Sequence, residues 1–275
     1  MEVYLENTTE TVKENKRVEI YKDNFAEYLL CLSLDIGEGM LKNGGEVSRV
    51  EDTIERICRA YGAQHVEVFS TISVIHAFIR LEDGSYSSQM RRVKQVSMHL
   101  GMLERLNALS REVCDTTPPL AELEEKLREA KGTTTYPRWI SFLASAVACC
   151  GFTFFFDGTW RDAAVSFVIG MLLSLLEFLP QRYINQMAKT AISSFIIAIC
   201  AALAVQFGIA DNSGIIVIGS IMILVPGLFF GTAMRDMLTG DLATGSLKTL
   251  QAVIEALMLA FGYMLAVTVM GGVAI

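Results

Sequence analysis

The sequence predicts an α+β cytoplasmic domain followed by an all-α membrane bundle of five transmembrane helices. Three observations lead there. Charge is concentrated in the front half. Of the 23 Lys and Arg only Arg161, Arg182, Lys189, Arg235 and Lys248 follow residue 138, and of the 30 Asp and Glu only Asp157, Asp162, Glu177, Asp211, Asp236, Asp241 and Glu255 do. Between those exceptions the back half is a series of long apolar runs, and the chain as a whole is 52% hydrophobic with a mean hydropathy of +0.41. Soluble domains average about 45–50% apolar and roughly 25% charged residues. Finally, the front half passes from helical periodicity to β-branched and aromatic runs and back to helix. These patterns divide the chain into a tail (1–23), a cytoplasmic α+β domain (24–132) and a transmembrane domain (133–275).

The elements follow in order. The first 23 residues are polar and mixed in charge, which predicts a disordered tail. They lack a basic stretch followed by an apolar one, so no cleavable signal peptide is expected. Over 24–42, Phe25, Tyr28, Leu29, Leu32, Ile36, Met40 and Leu41 recur with helical spacing, and Gly44-Gly45 ends that helix. Ser48 and Glu51 read as a capping box opening a second helix, with Val50, Ile54, Ile57 and Tyr61 on one face and Gly62 closing it. Runs 65–71 and 73–81 read as strands, and Asp83-Gly84 signals a hairpin into a third strand near 85–93. A helix over 96–113 and a charged helix over 120–131, after Pro118-Pro119, complete the domain.

The apolar runs lie at 139–156, 163–179, 190–210, 213–234 and 249–275. Each is near the 17–25 residues that cross about 30 Å of hydrocarbon. Continuous apolar runs without period-2 alternation mean helices rather than a barrel. Positive charge alternates between connections: Arg128, Lys131 and Arg138 precede the first run, Arg182 and Lys189 follow the second, and Arg235 and Lys248 follow the fourth. The other two connections carry only Arg161, flanked by Asp157 and Asp162, and Asp211. The positive-inside rule then places the front half in the cytoplasm and the C-terminus outside, in a multi-pass inner-membrane protein.

Several chemistries are unsupported. No Walker, G-x-S-x-G or G-x-G-x-x-G sequence is present. His65, His76 and His99 are scattered without metal spacing, so no metal and no cofactor are expected. The six cysteines show no C-x-x-C spacing and read as buried thiols. The acidic front half argues against nucleic acid, which needs clustered cations. Gly37, Gly39, Gly44 and Gly45 read as close packing and a helix terminus rather than a phosphate loop, since no strand precedes them.

The back half holds the residues suited to transport. Pro226-Gly227 interrupts the fourth run, which frees backbone groups near mid-membrane; a simple kink is the alternative. Thr232, Arg235, Asp236 and Asp241 follow within 15 residues. Arg235 suits a substrate carboxylate, and Asp236 or Asp241 an amino group, unless the segment is a wet loop whose Asp caps the next helix. Glu177 and Glu255 are acids inside apolar runs and read as proton carriers, with an interfacial or snorkelling position as the alternative. Gly227-x-x-x-Gly231 and Ala198-x-x-x-Ala202 are weak signals of close helix contact.

Gly44-Gly45-Glu46-Val47-Ser48-Arg49-Val50-Glu51, with Tyr61-Gly62 and Val68-Phe69-Ser70-Thr71, resembles the front half of the threonine/serine exporter family. Leu224-Val225-Pro226-Gly227 and the Asp236…Gly240-Asp241…Gly245 spacing resemble its back half, so the likeness covers residues 24–275. Within that family the chain is similar to the longer subunit of split members. The resemblance implies export of threonine, serine or small carboxylic acids, driven by the proton motive force, with a small all-membrane partner. Independently, five spans make a thin bundle, so a partner or homo-oligomer is expected beside membrane lipid. A membrane-anchored sensor or scaffold, or an enzyme with its chemistry in the front half, are the competing readings.

Overall fold

The computed structural model describes residues 24–94, 97–132, 137–177 and 185–271. The expected tail, 1–23, lies outside them. The described residues form two compact units, one drawn from Met1–Thr133 and Leu228–Thr249, the other from Thr134–Gly227 and Leu250–Ile275. This differs from a single boundary near residue 132: the polar segment 228–249 belongs with the front half.

In the first unit, α1 (Phe25–Lys42) is buried nearly all round: Leu29, Leu30, Leu34, Ile36 and Met40 have no exposure. A helix apolar on every side must be enclosed, and α2 (Val47–Ala60), α3 (Leu100–Thr116), α4 (Leu120–Gly132) and a sheet enclose it. The sheet is an antiparallel meander of β1 (Ala63–Thr71), β2 (Val74–Leu81) and β3 (Tyr86–Arg92). Ile75, Ala77 and Ile79 alternate onto its buried face, as a half-covered sheet requires. Arg91 of β3 donates to Asp35 Oδ1 (3.3 Å) and Cys31 Sγ (3.1 Å) of α1, so the core holds a nearly buried ion pair. The Asp83-Gly84 turn forms as expected, with Gly84 at φ +83° and Ser85 donating twice to Asp83. His99 caps α3 by accepting from the Met102 amide at 3.1 Å.

The expected capping box is not made. Glu46 is the N-cap of α2 and offers no side-chain bond, while Glu51 turns to β1 and accepts from the Ser70 amide (2.6 Å) and hydroxyl (3.1 Å). A strand amide presented at close range outcompetes the helix's own terminus for that carboxylate.

The second unit comprises α5 (Arg138–Phe155), α6 (Trp160–Glu177), α7 (Gln186–Gln206), α8 (Ser213–Ile221) and the later part of α10 (Leu242–Val269). Among the described residues two helices, α7 and α10, are long and apolar enough to cross a membrane, each with an 18-residue stretch of mean hydropathy 2.0. The fourth apolar run is not one helix. It divides into α8, of 9 residues, and α9 (Gly227–Leu238), of 12, around the turn before Pro226-Gly227. At 1.5 Å per residue these measure about 14 and 18 Å, so neither crosses about 30 Å alone. The two small-residue signals also separate. Ala198 and Ala202 are buried on α7, whereas a side chain added at Gly227 or Gly231 would meet nothing within 4 Å.

The α5–α6 and α7–α8 connections are tied together. Asp162 is fully buried; its Oδ1 accepts from the Asp211 (2.8 Å) and Asn212 (2.9 Å) amides, and its Oδ2 from the Thr159 amide (3.0 Å). Arg161 adds bonds to Asp211 (3.0 Å) and the Gly208 carbonyl (2.8 Å). An Asp162→Ala substitution strands three backbone donors. It should lower the thermal unfolding midpoint in detergent, equivalent to about 1–3 kcal/mol, with Asp162→Asn losing less. An unchanged midpoint would show that those amides find other acceptors.

Candidate functional site

The polar segment between α9 and α10 folds against the start of α2 inside the first unit. α1 stops because Gly44 adopts φ +90°, a left-handed conformation that a Cβ disfavours, and the Gly45 amide returns to the Met40 carbonyl at 2.9 Å. The chain then enters α2 at Val47 with its first amides unsatisfied, the ordinary state of a helix start.

Asp236 of α9 supplies the missing acceptor. Its carboxylate is completely buried; Oδ1 accepts from the Val47 amide at 3.3 Å and Oδ2 from Lys248 Nζ at 2.6 Å. Lys248, on α10, is only 2% exposed. One carboxylate thus caps a helix 189 residues away and neutralises a buried ammonium. The positive end of the α2 dipole adds to that stabilisation. The approach of α10 to α9 depends on Gly245: a Cβ there would lie 2.4 Å from Met237 Cγ and 2.8 Å from the Ala233 carbonyl oxygen.

The neighbouring charges follow the same two segments. Arg235 donates to Glu46 Oε1 at 2.6 Å; Arg235 is 61% exposed, its partner only 14%. Asp241 caps α10, its Oδ1 accepting from the Thr244 amide at 3.1 Å, which is the capping role weighed in the sequence. Its Oδ2 is buried without a hydrogen-bond partner among the described residues, as is the hydroxyl of the fully buried Thr244. Burial raises the Glu51 carboxyl above its ordinary value; the Ser70 bonds oppose this, and the negative charge of Asp241 adds to it.

Three of the expected residues, Arg235, Asp236 and Asp241, therefore gather around the start of α2. Thr232 lies on α9 with its hydroxyl bonded to the Phe229 carbonyl (2.9 Å). Pro226 and Gly227 fall at the α8–α9 break and belong to the second unit. Glu255 of α10, also in the second unit, accepts from Gln251 at 3.2 Å. Glu177 ends α6, and its side chain lies outside the described residues.

The sequence reading placed Lys248 in a loop, as a topology cation without a partner; the structure places it inside α10. It is the buried partner of Asp236. A lysine in the second turn of a long apolar helix, shortly after two aspartates, is the signal that could have marked it. Glu46 and Val47 were visible within a motif, but nothing local shows that their partners are Arg235 and Asp236.

The second unit offers a smaller polar recess, a cavity of about 30 Å³ bordered by Ser145, Ser174, Gln186, Thr190 and Ser193 and by Leu224 of the helix break. That volume suits one water molecule.

A family model for threonine/serine exporters (ThrE) matches residues 32–270. The chain belongs to the threonine/serine exporter family. The front and back motifs that meet around Asp236 both lie inside the matched span. Among curated relatives, the "Probable succinate transporter subunit YjjP" of Escherichia coli is 23% identical over 87% of this chain and 94% of its own. The protein of that name in Klebsiella aerogenes is 22% identical over 84% and 90%. The "Threonine/serine exporter" of Corynebacterium glutamicum is 22% identical over 80% of this chain and 47% of its own. No solved structure matches. The relatives support reading this family member as a membrane exporter.

Replacing Lys248 with Met leaves the Asp236 carboxylate buried and unpaired, and breaking a buried pair this way costs about 3–5 kcal/mol. Lys248→Met should lower stability in detergent on that scale. Adding Asp236→Asn, which keeps an oxygen for the Val47 amide, should restore much of the loss. Strictly additive losses in the double variant would show that the two residues are not coupled.

Proposed function

We propose that this chain is one subunit of a secondary-active exporter of threonine, serine or small carboxylic acids, driven by the proton motive force. The observation that carries the reading is the Asp236–Lys248–Val47 network. It builds the front motif and the polar hairpin into one body, at the point where α10 begins its apolar course. Arg235 is an exposed cation of that body, and a substrate carboxylate exchanging with Glu46 would meet a guanidinium already positioned for it. Asp236, Asp241 and Thr232 lie in the same segment of the chain, and the Pro226-Gly227 break is the proposed source of free backbone groups for the substrate. Glu177 and Glu255 are the proton-coupling acids of this proposal.

The proposed topology has five spans, the fourth discontinuous, with the first unit in the cytoplasm and the C-terminus outside. The Asp162 and Arg161 bonds support it, because they hold together the two connections assigned to the outer side. Trp139 at the start of α5 and Trp160 at the start of α6 are both largely exposed, as interfacial anchors are. An apolar groove of about 980 Å³, lined by Trp160, Phe167, Val168, Leu203 and Phe207, would face lipid or the helices of a small membrane partner. The word "subunit" in the names of the enterobacterial relatives supports a partner.

Efflux from vesicles loaded with threonine, serine or succinate, with and without a co-expressed small partner, tests the reading. Arg235→Gln should cut efflux at least 10-fold while membrane insertion is unchanged. Glu177→Gln, Glu255→Gln and Asp241→Asn should each impair it. No transport of any of these acids under an imposed proton gradient would overturn the proposal. Intact efflux in all four variants would overturn the site.

A further inference from the structure

The first unit contains a cleft that shares no residue with the Asp236 network. It is a cavity of about 280 Å³ between α2 and α3, bordered by Thr53 and Arg56 of α2 and by Ser110, Arg111, Cys114 and Asp115 of α3. Spacings of three and four residues put each set on one face of its helix. Thr53 is only 7% exposed, yet its hydroxyl has no hydrogen-bond partner among the described residues. Ser110 is 8% exposed and donates to the Asn107 carbonyl at 2.9 Å, which leaves its oxygen free to accept. Hydroxyls set this deep call for a polar occupant of the cavity.

Both signs of charge line the same cavity. Arg111 and Asp115 lie one turn apart on α3, but neither has an ion-pair or side-chain hydrogen-bond partner among the described residues. Arginine before aspartate is also the less favourable order for a pair at that spacing. Arg56 binds Asp52 through Nε (2.9 Å) and Nη2 (2.6 Å), which holds its guanidinium in place and leaves other N–H donors unused. A dianion in the cleft would meet Asp115, and an apolar ligand would strip water from the charges without replacing it. A zwitterion satisfies both signs.

We propose that this cleft binds one small zwitterionic amino acid that bears a hydroxyl. Its carboxylate lies on Arg111 with Arg56 beside it, and its ammonium lies on Asp115. Its hydroxyl accepts from Thr53 and donates to Ser110. The volume, about that of nine waters, admits one such molecule and little more. The cleft is a second ligand site, separate from Arg235 and its hairpin. It rests on the exporter reading only for its purpose, since occupancy would report the cytoplasmic level of the molecule to be exported.

The test uses the full chain in detergent, carrying Arg235→Gln to remove the proposed transport cation, and reads L-threonine binding by calorimetry. That protein should bind one equivalent. Adding Arg111→Gln or Asp115→Asn, both at exposed positions, should weaken binding about 10-fold or more, the loss expected for a charge-assisted bond. Threonine methyl ester lacks the carboxylate charge and N-acetylthreonine lacks the ammonium, so each should bind about 10-fold more weakly than threonine, or worse. Cys114 supplies a local readout, because it borders the cavity and is half-buried. Threonine, but neither derivative, should slow its alkylation by a maleimide, followed by mass spectrometry of the peptide that carries it.

Absence of binding in the Arg235→Gln protein overturns the proposal, as does binding that Arg111→Gln and Asp115→Asn leave unchanged. Equal binding of threonine and its N-acetyl derivative, or tighter binding of succinate than of threonine, overturns the zwitterion. Efflux is measured separately. Binding in the cleft of a protein that exports nothing would sink the exporter reading and leave this site standing, whereas export without Cys114 protection would do the reverse.

Discussion

The buried carboxylate of Asp236 is the constraint around which the first unit is organised. An ion of this kind cannot be left in a protein interior without partners, because the desolvation cost is several kcal/mol. It finds one in Lys248 and another in the Val47 amide, and those two come from opposite ends of the chain. Satisfying a single side chain therefore draws α2, α9 and the first turns of α10 into one body. Glu46 and Arg235 are charges brought into range by that arrangement.

The second unit solves a different problem. Its helices are apolar on most faces, so burial of apolar surface alone does not specify which faces meet. Polar atoms do more of the specifying: Asp162 gathers three backbone amides at one end, Thr153 meets Ser166 at 2.6 Å between α5 and α6, and Ser194 donates to the Leu259 carbonyl at 2.7 Å. The broken fourth run leaves α8 short enough to sit among α5, α6 and α7. Such a break exposes backbone groups that a continuous helix would hide, which is the property a transport path needs.

Much of the front half was legible because its signals are local. Gly44 and Gly62 end helices, Asp83-Gly84 turns the hairpin, and observed elements begin within a few residues of where periodicity puts them. The capping box failed because Ser48 and Glu51 obey a local rule that a distant strand overrides. On the site, Arg235, Asp236 and Asp241 were marked by being charged where charge is scarce. Lys248 was read only as a topology signal for the same reason, and its pairing with Asp236 shows only in its burial.

The sequence by itself determined that a charged α+β half precedes an apolar helical half, and that proline and glycine break the fourth run. Periodicity, hydropathy and turn chemistry act over a few residues, so a linear reading captures them. It could not determine that residues 228–249 join the front half, that Asp236 caps α2, or that Lys248 lies buried. Those depend on which partner satisfies a buried charge, and the partners are 12 and 189 residues away. Coulomb attraction and desolvation act through space, and only the tertiary structure decides which distant groups share it.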